Sequence, residues 1–146
     1  MPGVMVSSID RLGAAGLEVL ESPFAPPGLP SVTAAWRPVI SSLAQPTCRI
    51  GHDEEDGQAK LEREWRRLLV EHRVVTGDGR LLVSLSGGDA AWALVRLPCE
   101  PVRLGELGPY PGQPEFVAMS VAGDAVCGVT VEEYDIWIIC TRPASE

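Results

Sequence analysis

Apolar and polar residues alternate in two different rhythms along this chain. From Glu54 to Val75 the positions Leu61, Trp65, Leu68, His72 and Val75 recur at spacings of four, three, four and three. That is the period of one face of an α-helix, and Leu69 widens the stripe. Asp53, Glu54, Glu55 and Asp56 stand at its start, where carboxylates suit the positive end of a helix dipole. Glu62 with Arg66 and Arg67 with Glu71 stand at i,i+4, spaced to pair along the helix. The pattern predicts one amphipathic helix over Glu54–Arg73 that packs on a sheet.

The rhythm then shortens. VVTGDGRLLVSL reads as a strand, a Gly77-Asp78-Gly79 turn and a second strand in which Leu81, Val83 and Leu85 alternate. Ser86-Gly87-Gly88-Asp89 turns the chain into a return strand, Ala91 to Leu97, which Pro98 stops. The stretch Glu115 to Thr141 predicts three antiparallel strands in a row, with Gly123-Asp124 as the first tight turn and Glu132-Glu133 leading into the third strand. In that last strand Ile136, Ile138 and Cys140 face one way, and Trp137, Ile139 and Thr141 the other. Apolar residues on both faces predict a central strand with a helix over at least one side.

The N-terminal third is less regular. Ser7 or Ser8 is a candidate N-cap for a short helix carrying Ile9, Leu12 and Leu20 on one side, while Leu17 to Leu20 reads equally as a strand. Residues 22–30, with four prolines in nine residues, predict an extended connector. Ser31 caps a second short helix that Pro38 should end or kink, with Trp36 and Ile40 as its buried residues. Residues 98–114, with five prolines in 17 residues, predict a long surface loop. The whole chain, 1–146, reads as a single α+β domain: an antiparallel sheet of five or six strands against one main helix.

Composition narrows the functions. A formal charge of −8 argues against binding DNA or RNA backbones, which demand Lys and Arg. No run approaches the about 18 apolar residues of a membrane span, and MPGVMVSSIDRLGAAGL has no basic region ahead of an apolar core. The expectation is a cytoplasmic protein whose four cysteines, Cys48, Cys99, Cys127 and Cys140, are thiols.

Little of the chain suggests catalysis. Cys48 and His52 are spaced C-x3-H beside Asp53, but zinc needs three or four ligands, so neither metal nor cofactor is expected. His72 falls on the apolar stripe and reads as a core or helix-end histidine. Cys99, next to Pro98, is the thiol expected to be exposed, while Cys127 and Cys140 read as core. The Gly77–Gly79 and Gly87-Gly88 clusters lead into strands, whereas a phosphate-binding loop opens a helix.

Charge asymmetry says more. From Leu104 to Thr141 there is no Lys or Arg, while Glu106, Glu115, Asp124, Glu132, Glu133 and Asp135 add six negative charges. Beside them Tyr110 is framed by Pro109 and Pro111, an aromatic of the kind enriched in interface hot spots. These seven residues are the candidate binding site for a basic protein partner. The expected function is that of a non-enzymatic binding protein, an immunity-type inhibitor of a basic toxin or secreted effector. A small acidic secretion-type chaperone is one alternative. A ligand-binding domain or small enzyme with a pocket between helix and sheet is another. Oligomeric state stays open.

Overall fold

Ser7 accepts a hydrogen bond from the Asp10 N–H, and Gly16 closes the last turn in the left-handed conformation, so the first helix, α1, spans Ser8–Ala15. In this computed structural model, which describes residues 7–145, the chain then extends into β1, Glu18–Phe24. The strand alternative for Leu17–Leu20 therefore holds, and β1 runs into the first residues of the proline-rich connector. Ile9 and Leu20 are exposed, and of the three apolar residues expected on one side only Leu12 is buried. Residues 1–6 of the stretch read for an export signal lie outside the described residues.

Ser31 caps α2, Val32–Val39, through its hydroxyl and the Ala34 N–H. Pro38 lies in the last turn and has no N–H for the Ala34 carbonyl four residues back. That carbonyl instead accepts the N–H of Ala144, at 2.8 Å, which fastens the C-terminal tail to the helix. Trp36 is buried as expected. Ile40, expected to be buried, is exposed, because it is the residue that ends the helix rather than one on its inner face.

β2 is the four-residue strand Cys48–Gly51, and α3 spans Gly57–Glu71. The acidic run precedes α3 as a turn and does not occupy its first turn, so the expected start at Glu54 moves to Gly57. Asp56, at the N-cap position, is left-handed (φ 56°) and makes no side-chain cap hydrogen bond. At the other end His72 is exposed. Arg73 is left-handed (φ 59°), and the Val74 N–H returns to the Leu69 carbonyl at 2.8 Å. That closure buries Val74 and rules out the strand expected at 74–76.

The remaining strands are β3 (Arg80–Ser84), β4 (Trp92–Arg96), β5 (Phe116–Met119), β6 (Val126–Val131) and β7 (Asp135–Thr141). Among the described residues the fold is α+β, with one open sheet of seven strands in the order β1-β4-β3-β5-β6-β7-β2 and three α-helices. Every pairing is antiparallel. Five central strands follow α3 in sequence. The two from the N-terminal third, β1 and β2, form the edges, which raises the count from the expected five or six to seven.

Both faces are covered, not one. Leu61, Trp65, Leu68 and Leu69 of α3, with Leu12 and Ala15 of α1, pack on Leu81, Val83, Val95, Phe116, Ala118, Val129, Ile136 and Ile138. Trp65 is fully buried in this cluster, its ring edge-on to Phe116 at 5.7 Å. On the opposite face Val32, Ala35, Trp36 and Val39 of α2 pack on Leu82, Leu94, Val117, Met119 and Ile139. Where α2 crosses β6 a Cβ on Gly128 would stand 2.5 Å from Val39 Cγ1, so the approach requires glycine there.

The 98–114 segment is more than a surface loop. Val102, Leu104 and Leu107 are buried in the α3-side core, and Leu104–Glu106 forms a 3-10 turn. The Glu62–Arg66 pair fastens it. Glu62, 9% exposed, accepts the Val102 N–H at 2.9 Å and the Arg66 guanidinium at 2.9 Å, and Arg66 donates onward to the Pro98 and Glu100 carbonyls.

Candidate functional site

Strand direction decides which predicted site residues meet. β5 and β7 begin, and β6 and β2 end, at the same end of the sheet. The turn Glu132–Tyr134 between β6 and β7 therefore lies there, beside the 52–56 turn that joins β2 to α3. Gly51 is the register partner of Asp135. His52 holds the two turns together: its N–H reaches the Tyr134 carbonyl at 3.3 Å and its Nε2 lies 2.6 Å from the Glu132 carbonyl.

The loop carrying Glu106 and Tyr110 enters β5 at this same end. It folds back on itself, the Gln113 N–H bonding to the Tyr110 carbonyl at 3.1 Å and the Glu115 N–H to the Leu107 carbonyl at 2.9 Å. It rests on the start of α3, where a Cβ on Gly105 would lie 3.7 Å from Gln58 Oε1. Arg11 of α1 ties it from the other side by donating to the Gly108 carbonyl. Tyr110 at the tip is 65% exposed.

Six of the seven predicted residues thus share one end: Glu106, Tyr110, Glu115, Glu132, Glu133 and Asp135. Asp124 does not. It sits in the β5–β6 turn at the far end of β6, where its carboxylate accepts the Ser120 hydroxyl at 2.8 Å. Six residues of strand separate it from Glu132, about 20 Å at the usual rise.

The fold adds to the group what the sequence pattern assigned elsewhere. Asp53, Glu54, Glu55 and Asp56 join Glu132, Glu133 and Asp135 across the β2–β7 pairing, and Tyr134, 78% exposed, stands among them. A tyrosine inside the acidic step Glu132-Glu133-Tyr134-Asp135 was the available signal for it. Among the described residues, Glu54 alone of these carboxylates has an ion pair, with Lys60. The hydrogen bond from Lys60 and another from the Gly51 N–H hold its carboxyl below the usual glutamate value. Glu132 accepts the Thr130 hydroxyl and Asp135 the Trp137 indole N–H, each at 2.8 Å. Arg49 lies over the Trp137 ring at 5.4 Å.

The residues that the sequence offers for catalysis or zinc, Cys48, His52, His72 and Cys99, are not gathered into one site. Cys48 faces α3, and burial raises its thiol above the ordinary value. His52 is engaged with the turn backbone, and His72 and Cys99 are exposed in separate segments. Among the described residues no group of three His, Cys, Asp or Glu is arranged to hold a metal ion. The α3 side of the sheet carries packed core. A groove of about 420 Å3 opens between the start of α3 and the 101–106 segment, and none of His52, His72 or Cys99 lines it. No helix among the described residues is long and apolar enough to cross a membrane. Compared with family models, curated proteins and solved structures, the chain matches none.

Proposed function

We propose that this protein is a non-enzymatic binding protein that docks a basic protein partner at the acidic end of its sheet, as an immunity-type inhibitor does. The observation that carries the reading is the convergence of two acidic turns, 53–56 and 132–135, which lie far apart in sequence. Their carboxylates stand beside exposed Tyr134, with Tyr110 on the neighbouring loop. Clustered charge of one sign steers an oppositely charged partner into encounter, and exposed aromatics in its midst supply the apolar anchors that slow dissociation. The partner is a protein with a basic docking surface, such as a toxin or secreted effector.

The product of the reading frame adjacent to this one, purified and titrated calorimetrically against the protein, tests the proposal. A saturable complex whose affinity falls steeply with salt is expected. Binding that is insensitive to salt and unchanged by Glu132→Lys with Glu133→Lys would place the interface elsewhere, and no binding to basic proteins of any kind would end the reading.

A further inference from the structure

Cys127 and Cys140 are register partners on β6 and β7. Both side chains belong to the α3-covered face, where Cys127 is fully buried and Cys140 partly exposed. The Glu132 N–H bonds to the Asp135 carbonyl at 2.8 Å, which makes 132 and 135 a hydrogen-bonded pair. The register runs unbroken to Val126 and Thr141, and hydrogen-bonded pairs alternate with open ones. Five steps along, 127 and 140 fall on an open pair. The Cys140 N–H confirms this, because it turns away from β6 to the Thr47 hydroxyl at 2.9 Å.

Open pairs bring Cα atoms to about 4.5 Å, inside the span of about 4.4–6.8 Å that a disulfide bridges. Cys48 is opposite Ile138 instead, and Cys99 belongs to the exposed segment after β4. We propose that Cys127 and Cys140 are a reversible dithiol–disulfide pair that closes the β6–β7 hairpin when the protein meets a low-molecular-weight disulfide. The environment divides their roles. A hydrogen bond from Cys127, followed by one from Thr47, holds the Cys140 thiol below its ordinary value. Cys127, as donor in that bond and buried, is pushed well above its own.

Cys140 is thus the thiolate an oxidant reaches first. Its sulfur attacks one sulfur of RSSR, forming a protein–S–S–R bond and releasing one thiolate. Cys127 gives up its proton, attacks the Cys140 sulfur and releases the second thiolate. The protein loses two electrons and two protons, and RSSR leaves as two RSH.

The test uses the full chain with Cys99→Ser, which removes the exposed thiol, incubated folded with oxidised glutathione. Intact mass and peptide mapping without reductant should show the loss of two hydrogens, a Cys127–Cys140 link, an alkylatable Cys48, and reversal by dithiothreitol. This single measurement decides the proposal even if no further variant folds. Where it folds, Cys127→Ala should stop with one glutathione on Cys140, and Cys140→Ala should leave Cys127 unmodified. Both thiols still free after incubation, a bridge that includes Cys48, or a bridge between two chains would overturn it.

Discussion

The two ends of the sheet handle charge in opposite ways. At the far end, where β6 begins and α3 finishes, carboxylates have nearby partners. Asp78 pairs with Arg80 at 3.0 Å, Glu18 with Arg96 at 2.9 Å, and Asp124 accepts the Ser120 hydroxyl. At the acidic end Asp53, Glu55, Asp56 and Glu133 have no ion pair among the described residues, and they crowd against Glu132 and Asp135. Like charges gathered on adjacent turns repel; Glu54, Glu132 and Asp135 offset this through bonds to Lys60, Thr130 and Trp137, whereas Asp53, Glu55, Asp56 and Glu133 make no side-chain bond among the described residues. The ion pairs of the far end contribute to the fold; the unpaired carboxylates of the acidic end are the feature on which the proposed docking rests.

Both ends stand on one scaffold, and disrupting it has the largest effect. Trp65→Ala should cost about 3–5 kcal/mol, because a buried ring is deleted from the α3-side core. Among the described residues its indole N–H has no hydrogen-bond partner, so the loss is one of packing. Both ends should melt together in a single urea transition.

Glu62→Ala should instead separate them. It leaves the Val102 N–H without its acceptor and frees Arg66, at a cost of about 2–4 kcal/mol. The 98–114 segment lies mainly at the acidic end. Hydrogen exchange should therefore accelerate at Val102–Leu107 while the turn at Ser120–Asp124 keeps its protection. Equal acceleration at both would show that the Glu62–Arg66 pair supports the whole fold and not one end.

Tyr110→Ala comes next in size. With the loop backbone intact, losing the exposed ring should leave stability unchanged and shorten the lifetime of a partner complex, an effect of about 2 kcal/mol for a central anchor. Glu132→Lys with Glu133→Lys should act mainly on association, slowing it on the order of tenfold at low salt and less as salt rises. Asp124→Lys is the control from the far end. If it slows association as much as the double change does, net charge and not the acidic end steers the partner.

How far the sequence discloses this arrangement depends on what each element needs from the rest of the molecule. α3 and β5 to β7 are legible because their periods come from faces buried along most of their length. β1 and β2 are not. As edge strands they need few apolar positions: β1 is largely exposed and carries Pro23, and β2 has four residues. Burial of Val102, Leu104 and Leu107 follows no period, because a loop covers a core end through its path and not through a repeating face. The misplacement of Asp124 was avoidable in principle. In a meander successive turns fall at opposite ends, so the 120–125 and 132–134 turns cannot share a surface. The union of 53–56 with 132–135, by contrast, depends on β2 pairing with β7 across more than eighty residues of chain, which no local pattern records.

The smallest effect concerns α3 itself, which has a left-handed non-glycine residue at each end: Asp56 (φ 56°) and Arg73 (φ 59°). At Arg73 the conformation serves the helix closure, and glycine adopts it without the steric penalty a side chain incurs. Glycine's greater freedom in the unfolded chain offsets part of the gain, so Arg73→Gly should stabilise the protein by about 0.5–1 kcal/mol and leave partner binding unchanged. Asp56→Gly relieves the same backbone strain, but aspartate tolerates that region better than arginine, so the gain should be a few tenths of a kcal/mol at most, or about 0.3. It also removes a carboxylate that makes no side-chain cap bond. Association should then slow about twofold at low salt, a change Arg73→Gly does not produce. Urea midpoints and stopped-flow association rates for the two variants check this directly. Equal binding by both would show that the Asp56 carboxylate takes no part in the encounter.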